Sequence, residues 1–128
     1  MVMVSPPKNV LIVEDQEENR VLLGTICSRL GLNVTEAVDG LDGLEKSSAE
    51  PKPDLIFMDI RMPKMDGYKC IKHIREQDTE TPIVIITAEP ESIVKSNVSG
   101  ADVDSIITKP FRIKNIQKLL SEHFSFET

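Results

Sequence analysis

Residues 10–13 (VLIV), 55–58 (LIFM) and 83–86 (IVII) are apolar runs with no polar alternation. Such runs suit strands buried on both faces of a parallel sheet. Residues 34–38 (VTEAV) and 105–108 (SIIT) mix in polar side chains and read as the two flanking strands. Between and after these runs the apolar period lengthens to that of a helix, with Leu22, Ile26 and Leu30 in the first such segment and Ile113, Ile116, Leu120 and Phe124 in the last. Gly31 suits the stop of the first helix. A second helix is predicted over 40–49, ahead of Pro51 and Pro53, a third over 67–77 and a weakly patterned fourth over about 91–98. The alternation is (βα)₅. With right-handed crossovers it predicts an α/β fold, an open, doubly wound, five-stranded parallel sheet in the order 2-1-3-4-5. Helices 1 and 5 then cover one face and helices 2 to 4 the other, which puts Cys27 and Cys70 on opposite sides.

The length of 128 residues suits one domain, and 40% hydrophobic with 28% charged residues is the composition of an ordinary globular chain. The expected domain spans 8–124, with short tails at 1–7 and 125–128. No apolar run approaches the roughly 20 residues of a membrane-spanning helix, and the first residues lack the charge and apolar length of a signal peptide, so a cytoplasmic location without membrane contact is expected. The two cysteines form no CxxC pair, which argues against a zinc site or a disulfide framework. A net charge of −6 opposes attraction to nucleic-acid phosphates or anionic lipid. A local basic patch is conceivable at Lys109, Arg112, Lys114 and Lys118, but the last three read as a solvated helix face.

Open α/β sheets bind ligands beyond the carboxyl ends of their strands. In this chain those positions hold Glu14 and Asp15 after strand 1, Asp59 after strand 3, Thr87 then Ala88 at strand 4, and Lys109 then Pro110 at strand 5. Two carboxylates about 5 Å apart repel by roughly 3 kcal/mol at an effective dielectric of 20, so three together call for a cation or a retained proton. Oxygen donors without thiol or imidazole favour Mg²⁺. Structural roles compete for some of these residues. Asp15 with Glu18 fits a helix capping box, Glu17 and Glu18 suit a helix N-terminus, and Asp66 before Gly67 reads as a cap. Asp59 has no such alternative, because an acid directly after a fully apolar strand is costly to bury.

The set comprising 10–15 (VLIVED), 54–67 (DLIFMDIRMPKMDG), Thr87 with Ala88, Gly100 with Ala101, and Lys109 with Pro110 resembles the receiver domain of bacterial-type response regulators, over about residues 8–124. The resemblance implies a flavodoxin-like fold and a signalling role rather than turnover of a substrate. It makes Asp59 the phosphoacceptor in a phosphotransfer that the domain itself catalyses, as it does the later dephosphorylation. Asp15, Asp59 and the backbone carbonyl of Arg61 would ligate Mg²⁺, with Glu14 contributing directly or through water. Thr87 would hydrogen-bond the phosphoryl group, Lys109 would pair with it, and the peptide before Pro110 would be cis. The donor would be a phosphohistidine on a sensor histidine kinase or histidine phosphotransfer protein. His73 and His123 read as surface residues instead. The downstream target, the oligomeric state and the setting, free-standing regulator or part of a hybrid kinase, are left open. The likeness departs from the usual pattern at Glu14, where many receivers have Asp, and at Ile106, where many have Tyr or Phe.

A Mg²⁺-dependent phosphatase forming an aspartyl-phosphate is the alternative from another class. Such enzymes commonly need a second acid two residues after the nucleophile, and that position is Arg61. A flavin module is weaker, since residues 14–18 would repel the cofactor phosphate.

Overall fold

The computed structural model describes residues 8–124, so the tails expected at 1–7 and 125–128 lie outside the described residues. Its elements are β1 (Asn9–Val13), α1 (Glu17–Arg29), β2 (Asn33–Ala37), α2 (Gly40–Ser47), β3 (Leu55–Met58), α3 (Gly67–Gln77), β4 (Ile83–Thr87), α4 (Glu91–Asn97), β5 (Ser105–Thr108) and α5 (Ile113–His123). The five strands are all parallel, in the order β2-β1-β3-β4-β5. Both the fold class and the strand order therefore agree with the sequence reading.

Alternation along the strands divides the core in two. Val10, Ile12, Leu55, Phe57, Val84 and Ile86 pack beneath α1 and α5 with Leu23, Ile26, Cys27, Ile116 and Leu120. Leu11, Val13, Ile56, Met58, Ile83 and Ile85 face α2 to α4 with Cys70, Ile71, Ile74 and Val94. Strands covered on both sides cannot alternate with polar residues, which is why the central runs are uniformly apolar. Cys27 and Cys70 are free, buried and on opposite faces.

Local chemistry sets the helix ends. After α1 the chain enters the left-handed region at Gly31, φ +87°, and the Leu32 N–H donates back to the Cys27 carbonyl at 3.0 Å. Asp39 caps α2 by accepting from the Asp42 N–H at 2.8 Å, and Asp66 caps α3 through the Lys69 N–H at 2.9 Å, as its sequence position suggests. In α4, which begins after Pro90, Val94 is the buried residue.

Four expectations need correction. Leu22 is exposed, and its neighbour Leu23 fills the core position, because α1 carries consecutive apolar residues and its phase is ambiguous from spacing alone. Ile113 is likewise exposed at the open start of α5. The second strand ends at Ala37, leaving Val38 in solvent. The residue at the N-cap of α1 is Gln16, without a side-chain cap, so Asp15 and Glu18 form no capping box.

Candidate functional site

Strand register brings the acids together. Val13 pairs with both Ala37 and Met58, so Glu14 and Asp59 leave the sheet side by side. The ladder runs one step further, with the Asp59 N–H donating to the Val13 carbonyl and the Glu14 N–H to the Ala37 carbonyl, each at 3.0 Å. Thr87 pairs with Thr108, and the Lys109 N–H donates to the Thr87 carbonyl at 2.7 Å, which delivers the lysine to the same edge. The Lys109–Pro110 peptide is cis.

Glu14, Asp15 and Asp59 each offer a carboxylate oxygen within 4.8 Å of the others. Lys109 Nζ lies 2.9 Å from Glu14 Oε2 and 3.6 Å from Asp59 Oδ2. Asp59 Oδ1 accepts the Ile60 N–H at 2.8 Å. Burial pushes the Asp59 carboxyl up to about 6, with the Glu14 charge adding to the rise and Lys109 opposing it. Asp15 Oδ1 is buried and is the side-chain oxygen without a hydrogen-bond partner among the described residues. An orphaned carboxylate oxygen beside two further carboxylates is a donor set that fits a hard dication such as Mg²⁺.

The site's backbone is tightly held. A Cβ on Gly67 would come within 2.1 Å of the Asp59 carbonyl oxygen and 2.8 Å of Ile60 Cα, so glycine is needed where α3 starts against the acid-bearing loop. The Gly67 N–H donates to the Ile60 carbonyl at 2.8 Å. Beneath the first strand's end, Arg20 Nη1 donates to the carbonyls of Glu14 at 3.0 Å and Asp15 at 3.4 Å, while its Nε pairs with Glu36 at 3.0 Å.

Thr87 is buried at the end of β4, and its Oγ1 accepts the Glu89 N–H at 3.2 Å. Arg61 follows in the loop after Asp59, and its side chain turns away from the acids to pair with Glu89. Glu89 also accepts from the Tyr68 hydroxyl at 2.9 Å. Arg20, Glu89 and Tyr68 escaped the sequence reading. Nothing in their spacing marks them: Glu89 joins Arg61 and Tyr68 across 28 and 21 residues, and Arg20 reaches back to backbone carbonyls, which no side-chain pattern records. His73 pairs with Glu76 on the exposed face of α3, and His123 lies in the last turn of α5, so the structure brings neither to the acids.

The family model for the response regulator receiver domain matches residues 10–121, and the chain belongs to that family. The alkaline phosphatase synthesis transcriptional regulatory protein PhoP of Bacillus subtilis is 37% identical over 109 residues, covering 85% of this chain and 45% of PhoP. The regulator of RpoS of Escherichia coli is 36% identical over 112 residues, which is 88% of this chain and 32% of that protein. The chain thus spans less than half the length of these curated relatives. Among solved structures, the CheX-CheY-BeF₃-Mg complex from Borrelia burgdorferi matches with a TM-score of 0.82 and 31% identity, covering 91% of this chain and 90% of that one. The receiver domain of the sensor histidine kinase PA1611 from Pseudomonas aeruginosa, solved with magnesium in its active-site cleft, matches with a TM-score of 0.82 and 29% identity over 90% of this chain and 95% of that one. No helix among the described residues is long and apolar enough to cross a membrane.

Proposed function

We propose that Asp59 accepts a phosphoryl group from a phosphohistidine on a sensor histidine kinase or histidine phosphotransfer protein, and that the modified domain presents an altered protein-binding surface. One observation carries this reading: a buried carboxylate, Asp59, lies beside two further acids and a lysine ammonium 3.6 Å away. One Asp59 oxygen attacks phosphorus, the phosphorus–nitrogen bond breaks, and the imidazole nitrogen keeps its electron pair. A carboxyl whose proton affinity is raised by burial is a stronger nucleophile once ionised. Asp15 and Asp59, the Arg61 carbonyl and Glu14 would hold Mg²⁺. When bound, the ion neutralises the carboxylates and the charge of the transferred oxygens. Lys109 neutralises that charge from the other side, and the Thr87 hydroxyl donates to a phosphoryl oxygen.

Arg61, turned toward Glu89 where a phosphatase of the aspartyl-phosphate type would place a second acid, supports the acceptor reading over that alternative. The test is labelling by acetyl phosphate or a phosphorylated kinase. Asp59→Asn and removal of divalent cation with EDTA should each abolish stable labelling. Ordinary labelling in either case would defeat the assignment.

A further inference from the structure

We propose that Tyr68, Glu89 and Arg61 form a latch that holds the loop between β4 and α4 in its unmodified arrangement and opens when phosphoryl charge arrives on Asp59. This rests on the acceptor reading above and assigns that site a means of regulation. Glu89 is the centre of the latch. Its N–H donates to Thr87 Oγ1 at 3.2 Å, and its carboxylate accepts from the Tyr68 hydroxyl at 2.9 Å and from the Arg61 guanidinium. The loop that follows Thr87 is thereby tied to α3 on one side and to the loop after Asp59 on the other. Asn97, the last residue of α4, also lies beside the Tyr68 hydroxyl, so the same contact reaches the helix next to β5.

The partners differ in how firmly they are held. The Arg61 side chain is 73% exposed and that of Glu89 14% exposed, so the guanidinium is free to exchange partners while the carboxylate depends on those it has. Burial and the adjacent carboxylate push the Tyr68 hydroxyl up to about 12, which keeps it a donor across the physiological range. A phosphoryl group adds about −1.5 to −2 of charge. Placed on Asp59, it competes for Arg61, the residue after Ile60, and repels the Glu89 carboxylate two residues past Thr87. Both effects weaken the same contact. Tyr68 then loses its acceptor, and the loop and α4 gain a second arrangement. Ile106 stands where a ring on β5 is usual in the family, and the chain's single tyrosine is in α3 instead.

That single tyrosine, in a chain without tryptophan, makes the latch observable. Tyrosine emission is quenched when the hydroxyl donates to a carboxylate. Adding beryllofluoride and Mg²⁺ to the full chain should raise the emission, with no change in Asp59→Asn. Glu89→Gln should emit more strongly from the start and respond little. In the unmodified protein, Tyr68→Phe should speed amide exchange across residues 88–91 by roughly five-fold, the factor that the net worth of one hydrogen bond implies. Two results would overturn the latch: unchanged emission while amide exchange in that loop responds to beryllofluoride, or wild-type exchange in Tyr68→Phe. Failure of every Asp59-dependent response would instead defeat the acceptor reading, and the opening step with it.

Discussion

Lys109 Nζ sits closer to Glu14, at 2.9 Å, than to Asp59, at 3.6 Å. Of the two buried acids, Glu14 thus holds the ammonium more closely. Among the described residues Lys109 is the cation that touches both buried acids, so its loss leaves two carboxylates uncompensated.

Lys109→Ala should therefore cost on the order of 2 kcal/mol at neutral pH without metal. Saturating Mg²⁺ should restore part of the loss, because the dication neutralises the same acids. Urea denaturation with and without Mg²⁺ measures both numbers. The variant should still accept some phosphate but lose the conformational response, as should Thr87→Ala, since in the proposed function these groups contact the phosphoryl oxygens rather than form the bond. Partner binding that kept native affinity and phosphate dependence in both variants would remove them from that role.

The core and the acid cluster were legible for one reason: strands covered on both faces are apolar throughout, so residues that break the pattern at their ends are conspicuous. Glu14 after 10–13 and Asp59 after 55–58 stand out in this way, whereas Lys109 follows the mixed edge run 105–108 and was marked by its place at the same sheet edge. The phase of α1 was not legible, because Val21, Leu22, Leu23, Ile26 and Cys27 lie on overlapping faces and tertiary packing selects among them. Asp15 had two local readings, and the N-cap at Gln16, a consequence of where α1 begins, removes the capping one. The pairs joining Glu89 to Arg61 and Tyr68 span 28 and 21 residues, a separation no periodicity encodes.

The raised Asp59 carboxyl makes stability depend on pH in a definite direction. The unfolded chain ionises this group near its ordinary value of about 3.9, while the folded, metal-free chain keeps the proton until about pH 6. Between those values the folded state binds more protons, so its stability falls as pH rises and levels off above the window. Asp59→Asn removes this dependence. In EDTA it should be more stable than the native chain by on the order of 1 kcal/mol at pH 7.5, and the difference should shrink toward pH 4.5. Thermal melts at the two pH values decide it; a gap that widened on acidification would contradict the electrostatic account.

Gly67→Ala tests how closely the start of α3 must approach Asp59. Its Cβ would meet backbone atoms of Asp59 and Ile60 at 2.1 to 3.0 Å, and backbone cannot rotate aside as a side chain can. The expected cost is about 1–3 kcal/mol, with weaker Mg²⁺ binding because Asp59 and the Arg61 carbonyl shift together. Gly100→Ala meets nothing within 4 Å and should stay within about 0.5 kcal/mol of the native chain. Equal stability and metal affinity in the two variants would show that the loop has slack the geometry does not suggest.

Ile106 bears on how the signal leaves the site. It is half-buried against the core beneath α2 to α4 and lines a cavity of about 460 Å³ with Glu91, Lys95, Val98 and Val103, between α4 and β5. Were Thr87 to move toward a phosphoryl group, it would vacate space that an aromatic ring on β5 would be long enough to enter. Isoleucine is shorter, branched at Cβ and stiff at χ1, so it follows Thr87 less. The change should fall instead on residues 88–91 and on α4, which has Val94 as its buried anchor. Beryllofluoride should alter amide exchange across those residues while the methyl signals of Ile106 keep their rotamer-dependent couplings, and Ile106→Ala should retain most of the loop's response. Protection changes confined to α1 and α2, or a rotamer jump at Ile106, would place the output route elsewhere.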